Sequence, residues 1–452
     1  MSENALRGLP AVHRFLSDPR IAAFDALLGR ERVKTAVQAV LEEARAAAGR
    51  ENAAASLPAL STAVLARLDR ERCESLLPVV NATGVLLHTN LGRAPLAQEA
   101  LDAIARLGAG YTNLEYDVLE GRRGSRYERT NALLTGLTGA ADALVVNNCA
   151  AAVLLVLDTF AKGREVIVAR GELVEIGGGF RLPDVMQRSG AVLVEAGATN
   201  KTYIEDYERA LSPRTALLLR THPSNYAMTG FVKHVDVRAL SALGRRAGIP
   251  LVEDLGSGAL VDLAEYGLPH ERTVREALAE GVDLVTFSGD KVLGGPQAGI
   301  VVGSAALIAR LRSNPLLRAL RVDKLTLAAL GATLQLYASP ERRNEIPFFA
   351  MLCASLDDLR GRAQAYCAAV PQAAAAASTA YAGGGTLAQC EVPSIAIEVS
   401  APHGAQTLVE RLRKRELPVV ARIEEGRVLL DLRSILPHQD RFVIDALRQA
   451  LE

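Results

Sequence analysis

The sequence predicts an α/β protein with a mostly parallel sheet covered on both faces, preceded by a helical N-terminal domain and followed by a smaller α+β C-terminal domain. Three changes of texture carry that prediction. From Leu9 to about Arg72 the chain is rich in Ala, Leu, Arg and Glu, with Val33, Val37, Val40 and Leu41 at helical spacing and a break at ENAAASLPALS. After LPVVNATG, short apolar runs such as DALVVNN, EVIVARGE, TALLLR, IPLVEDLG and VDLVTFSG alternate with helical stretches and Gly-rich junctions. Runs that are apolar throughout are what strands buried on both faces require. Beyond SPERRNEIPF the pattern shifts once more, and CEVPSIAIEVS and PVVARIEEGRVLLDLR read as alternating strands between helices. The expected domains are residues 1–70, 71–334 and 335–452. The Ala-rich PQAAAAASTAYAGGG at 371–385 is compositionally biased and reads as a helix ending in a flexible turn.

Composition removes several function classes. The 452 residues carry 51 basic and 51 acidic side chains, so a general nucleic-acid binder relying on bulk positive charge is excluded and any RNA contact must be local. The longest apolar runs, such as CAAAVLLVL, fall far short of the roughly 20 residues of a membrane span. The N-terminus lacks the basic and apolar regions of a secretory signal, so a cytoplasmic protein without a membrane partner is expected. Five scattered cysteines without a C-x-x-C pair argue against both a disulfide framework and a metal site.

The chemistry gathers around VDLVTFSGDKVLGG, where an apolar strand runs into Ser288, Gly289, Asp290 and Lys291, followed by Gly294 and Gly295. Open α/β sheets bind ligands at the carboxyl ends of their strands, and glycines there let backbone approach a flat cofactor. A lone strand-end lysine is ordinarily a surface group, but a desolvated one forms a Schiff base with an aldehyde, which points to pyridoxal 5′-phosphate. The surroundings agree. Asp254 ends the strand of IPLVEDLGSG and is placed to pair with a pyridinium nitrogen, while Glu253 faces the other way because side chains alternate. Asn148, Cys149 and Ala150 open a helix whose free amides suit a phosphate, and Ser288 offers a hydroxyl to the same group. Asn225 in RTHPSNYAMTG is a candidate donor to the ring oxygen. Each of these signals is weak alone, since caps and strand-end acids are common. Arg93, in a Gly/Pro-flanked loop, and Arg318 and Arg321, three residues apart on one expected helical face, make sense opposite a dense anion. A solvated helix face is the ordinary alternative for such a run.

The strings LLHTNLGRAPL, YTNLEYDVLEGRRGSRY, NNCAAAVLL, RGELVEIGGGFRLPDVM, THPSNY and FSGDKVLGGPQAG together resemble the bacterial L-seryl-tRNA(Sec) selenium transferase (selenocysteine synthase) family, from about residue 8 to the C-terminus. The resemblance implies a fold-type-I, aspartate aminotransferase-like enzyme dependent on pyridoxal 5′-phosphate. It implies that serine esterified to the selenocysteine tRNA is converted to selenocysteine with selenophosphate, by way of aminoacrylyl-tRNA. It places the Schiff base on Lys291, a further catalytic role on Asp290, and the selenium donor at Arg93, Arg318 and Arg321. It also implies tRNA recognition by the N-terminal domain and a homo-oligomer, a ring of dimers forming a decamer. VEAGATNKTY departs slightly from the usual family string. Residues 1–75 hold 11 basic and 10 acidic side chains, so tRNA binding there would rest on Arg7, Arg14, Arg30, Arg32 and Lys34 and on shape. The alternative within the same superfamily is a lyase acting on a free amino acid or amino sugar acid, since a fold does not fix an activity.

Overall fold

The computed structural model describes residues 10–51, 56–72, 76–176, 179–222, 226, 228–384 and 390–452. It divides into two compact units, Met1–Val79 and Val80–Glu452. The first is helical. Its two long helices, Arg30–Glu51 and Leu57–Arg72, follow three short ones, Val12–Leu16, Pro19–Ala22 and Asp25–Leu28. Val33, Val37, Val40 and Leu41 are buried with Phe15, Ile21, Val64 and Leu68, so the apolar stripe of the sequence is the core of this unit.

The second unit is built on a seven-stranded sheet. Its strands, in spatial order, are Asp142–Val146, Gly299–Gly303, Leu284–Ser288, Leu251–Gly256, Thr215–Thr221, Glu165–Ala169 and Val192–Ala196. All neighbours are parallel, except that Gly299–Gly303 runs antiparallel to both of its own. The central strands are buried residue after residue, as the continuous apolar runs require, because helices such as Cys149–Ala161 and Val237–Ala247 pack on the sheet. Among the described residues, no helix is long and apolar enough to cross a membrane.

A second sheet has six strands: Val80–Ala82, Val419–Glu424, Arg427–Asp431, Glu391–Val399, Ala373–Gly383 and Val85–Leu87. Two expectations change here. Ala373–Gly383 is a strand rather than a helix, paired along its length with Glu391–Val399. Alanine's helix preference is worth only tenths of a kcal/mol per residue, about 0.5, and a full ladder of backbone hydrogen bonds beside an apolar strand overrides it. The residues 80–87, expected within the larger domain, pair with the C-terminal strands instead. Val80–Ala82 and Val85–Leu87 occupy opposite edges of the six-stranded order yet are joined by Thr83 and Gly84 alone, so the sheet curls until its edges meet.

The place where they meet is organised by Asp431, which has no exposed surface. Its carboxylate accepts from Ser394 Oγ at 2.6 Å and Ser378 Oγ at 2.8 Å, and Arg422 Nη1 lies 3.4 Å away. Arg422 in turn donates to the Thr83 carbonyl at 2.6 Å. Gly84 fits over this cluster because a Cβ there would lie 2.4 Å from Arg422 Nη1. Removing the carboxylate takes the acceptor from two hydroxyls and loosens a guanidinium that Glu424 still holds at 2.9 Å, so Asp431→Ala is expected to cost about 2–3 kcal/mol in urea unfolding. A loss below about 1 kcal/mol would show that the cluster does not hold the sheet closed.

Candidate active site

Lys291 lies in the link between Leu284–Ser288 and its antiparallel neighbour Gly299–Gly303. Gly289 N donates to the Ala298 carbonyl at 2.8 Å, continuing the ladder, and the chain then closes a turn with Gly294 N on the Lys291 carbonyl and Gly295 N on the Gly289 carbonyl. The role expected of Gly294 and Gly295 changes accordingly. Neither lines the cavity beside Lys291; Gly294 has φ +75° and a Cβ there would sit 2.3 Å from Ile346 Cγ2. They make the turn and its packing possible, not a flat surface for a cofactor.

Asp254 and Thr286 are opposite each other in adjacent parallel strands, which puts both side chains on one face. Thr286 Oγ1 donates to Asp254 Oδ1 at 2.8 Å, and Cys149 Sγ donates to the same oxygen at 3.3 Å. Burial raises the Asp254 carboxyl above its ordinary pKa, opposed by those donors and by the charge of Lys291. Burial also pushes the Cys149 thiol well up, with the Asp254 charge adding to it, so the sulfur stays a neutral donor. Glu253, on the opposite face, has no exposed surface and is held by Arg220 and by Arg272 Nε at 2.9 Å.

The helix Cys149–Ala161 begins at the end of Asp142–Val146, with Asn148 as its cap accepting from Ala151 N at 2.8 Å. Its first turn comes close to the sheet because residue 299 is glycine: a Cβ there would lie 2.0 Å from the Asn148 carbonyl oxygen. The amides of Cys149 and Ala150 have no acceptor within the helix. A cavity of about 420 Å³ brings together Asn148, Cys149, Ala150, Asp254, Ser288, Asp290, Lys291 and Arg93. Thr89, Gly92, Gly256 and Gln297, which the sequence did not single out, also line it. Arg93 has φ +64°, a left-handed backbone that few residues with side chains adopt, and its Nη1 lies 2.7 Å from Asp290 Oδ2. Asn225 lies outside the described residues.

Arg318 and Arg321 are elsewhere. They line a second cavity of about 400 Å³, together with Glu115, Arg126, Tyr127 and Arg312. The expected shared helical face is also revised, since the helix Leu317–Leu320 is a single turn and Arg321 follows it in extended conformation. Arg321 Nη1 is 3.7 Å from Glu115, whose carboxylate also takes Arg123 Nη2 at 3.3 Å and Arg126 Nε at 3.0 Å.

The first cavity fits pyridoxal 5′-phosphate on three counts. It holds a desolvated carboxylate for a cationic ring nitrogen, a helix N-terminus and a serine for a phosphate, and a buried lysine amine for an aldehyde. Its volume lies in the range of small-molecule sites, roughly 300–1,000 Å³. Fold and cavity together define a fold-type-I, pyridoxal-phosphate-dependent enzyme. The family model described as L-seryl-tRNA selenium transferase matches residues 79–436, and that described as selenocysteine synthase N terminal matches residues 6–45. The L-seryl-tRNA(Sec) selenium transferase of Moorella thermoacetica is 49% identical, covering 100% of this chain and 98% of its own. That of Solidesulfovibrio magneticus is 47% identical over 100% and 99%. Among solved structures, a D-glucosaminate-6-phosphate ammonia-lyase superposes with a TM-score of 0.60 at 21% identity, over 83% of this chain and 96% of that one, a likeness of fold alone. The chain belongs to the L-seryl-tRNA selenium transferase family, and pyridoxal 5′-phosphate is its cofactor.

Glu172, which accepts from Thr221 N at 3.2 Å, is buried and its pKa is raised to about 7, mainly by desolvation and against the pull of Arg220. A carboxyl whose folded pKa exceeds its unfolded value, 4.5, stabilises fully below pH 4.5 and loses that contribution as pH rises through 7. Stability should therefore fall across this window, by on the order of 2 kcal/mol from this residue. Glu172→Gln keeps an acceptor for Thr221 N but cannot titrate, so its unfolding free energy should fall less than that of the parent between pH 5 and pH 8. Parallel pH profiles for the two proteins would refute the assignment.

Proposed function

We propose that this chain converts L-seryl-tRNA(Sec) to L-selenocysteinyl-tRNA(Sec), replacing the serine β-hydroxyl with selenium from selenophosphate. The observation that carries this reading is the meeting of Lys291 and Asp254 in one cavity, within a chain 47–49% identical from end to end to transferases of that name. When bound, pyridoxal phosphate supplies an electron sink that stabilises negative charge at the seryl α-carbon. The chain's own residues do the remainder. Lys291 Nζ would anchor the cofactor's aldehyde and, as a buried amine in the same cavity, would serve as the base for the seryl α-proton. Asp254 would pair with the ring nitrogen, whose positive charge would offset the burial of the carboxylate. Asn148, Cys149, Ala150 and Ser288 hold the phosphate end. Asp290, fixed by Arg93, provides a second carboxylate at the cavity wall.

Arg93, Arg318 and Arg321 are the residues for the anionic selenium donor, because a guanidinium binds a phospho-anion through two hydrogen bonds at once. Within one chain they line two cavities. That division supports a homo-oligomer, a ring of dimers, in which arginines of one copy complete the site of another. The helical unit Met1–Val79 is the tRNA-recognising part. Of its candidate cations, Arg30 and Lys34 are paired with Asp25 and Glu31 on the surface, while Arg7 lies outside the described residues. Local charge and shape, not net charge, therefore carry recognition.

The direct test supplies purified protein with seryl-tRNA(Sec), selenophosphate and pyridoxal phosphate, and looks for selenocysteinyl-tRNA. Lys291→Ala is expected to abolish both product and covalent cofactor attachment. Arg318→Ala should keep the cofactor's absorbance and raise the KM for selenophosphate by roughly tenfold or more, the loss of a charge-assisted hydrogen bond. Unchanged turnover after Arg93, Arg318 and Arg321 are replaced together would remove the anion assignment. Turnover of a free amino acid or amino sugar acid, with no dependence on tRNA or on residues 1–70, would replace this reading by a lyase.

A further inference from the structure

Thr286 belongs to no motif that carries the family resemblance, yet it is the group most directly engaged with Asp254. The strand register sets Thr286 opposite Asp254, and both are buried, Thr286 with no exposed surface and Asp254 with 5%. Thr286 Oγ1 and Cys149 Sγ, from different elements, converge on the same oxygen, Oδ1, at 2.8 Å and 3.3 Å. A carboxylate oxygen that accepts two donors is oriented by them, and its charge is concentrated where they hold it. Both donors are neutral, so neither cancels the anion as a guanidinium would.

We infer that Thr286 and Cys149 are positioning residues that fix Asp254 through Oδ1 and direct its other oxygen, Oδ2, at the ring nitrogen of the cofactor. This rests on the reading of the cavity as a pyridoxal-phosphate site and adds what orients its acid. Glu253 supplies the contrast within one strand. Its carboxylate is held by Arg220 and Arg272 and is already neutralised, so it has no call for an external cation. Asp254 has donors without charge, which orient the anion and leave it to attract a pyridinium. Cys149 takes part as a thiol, because burial and the adjacent carboxylate disfavour the thiolate.

The test measures cofactor affinity, by equilibrium dialysis and by the visible absorbance of the bound cofactor, for the parent protein, Thr286→Val and Thr286→Ser. Each is given pyridoxal phosphate and a carbocyclic analogue with C–H in place of the ring nitrogen. Thr286→Val is expected to weaken pyridoxal phosphate about tenfold, the loss of one hydrogen bond to a charged group. It should shift the pH midpoint of the absorbance band, and Thr286→Ser should restore both. Parent and Thr286→Val should bind the carbocyclic analogue equally, because without the ring nitrogen there is nothing for an oriented Asp254 to hold. A Thr286→Val protein that binds both cofactors more weakly by the same factor, or binds pyridoxal phosphate as the parent does, overturns the inference. If Thr286→Val does not fold, Cys149→Ala against Cys149→Ser answers the same question from the other donor. A parent protein that takes up no pyridoxal phosphate removes the underlying reading of the cavity instead, a result separate from any difference between variants.

Discussion

A carboxylate sealed at the carboxyl end of a central strand is the constraint to which the rest of the site answers. Placing an anion out of water costs several kcal/mol unless donors and a cation offset it. Asp254 and Glu253 meet that demand in opposite ways on the two faces of one strand. Glu253 is neutralised internally by Arg220 and Arg272, so its face is finished when the chain folds. Asp254 receives a hydroxyl and a thiol, with the charge of Lys291 acting on it from a distance. An arginine on that face would have stabilised the apoprotein more and left nothing for a cationic ring to contribute. The chain accepts a less stable empty site, and the energy withheld there becomes available to binding.

The antiparallel strand Gly299–Gly303 gives this site its shape. A parallel neighbour would have demanded a long crossover after Ser288, whereas an antiparallel one is reached by a short link. Lys291 therefore sits in a closed turn braced by backbone hydrogen bonds on both sides, and its amine is held at the strand end and not on a mobile loop. The same strand carries Gly299, whose missing side chain admits Asn148 and the helix start at the cavity. One strand thus fixes both the turn that carries Lys291 and the start of the helix Cys149–Ala161.

What could be read from the sequence was what is local. Lys291, Asp254, Ser288 and the Asn148 cap each sit where an apolar run stops, and spacing along the chain was enough to find them. Thr286 was out of reach, because its importance comes from which strand lies beside which, and sheet order is not written in any one segment. The strand Ala373–Gly383 was hidden by composition, since seven of its eleven positions are alanine, which fits a helix as well, and only its partners decide. Residues 80–87 were assigned by adjacency to the following core, but pairing carried them to the C-terminal sheet. Gly294 and Gly295 were recognised as special for the wrong reason. A glycine announces a backbone need and is silent about whether a ligand or a neighbouring isoleucine creates it.

Charge separates the two cavities. Around the first cavity, Lys291 and Arg93 are matched by Asp254 and Asp290, so the walls are close to neutral, with helix amides and a hydroxyl among them. Such a site suits a ligand that brings both a cationic ring and an anionic tail. The second cavity is lined by Arg123, Arg126, Arg312, Arg318 and Arg321, against which Glu115 is the acid at its wall. Asp142 takes up Arg312 through two hydrogen bonds of 2.7 Å, and Glu115 is shared among Arg123, Arg126 and Arg321. A surplus of positive charge remains, and arginines crowded together raise one another's energy until a dense anion arrives. The attraction reaches about a Debye length into solution, roughly 8 Å at physiological salt, so it acts on a phospho-anion before contact. The two cavities thus differ in kind, one nearly balanced in charge around Lys291 and Asp254 and the other cationic around Arg318 and Arg321.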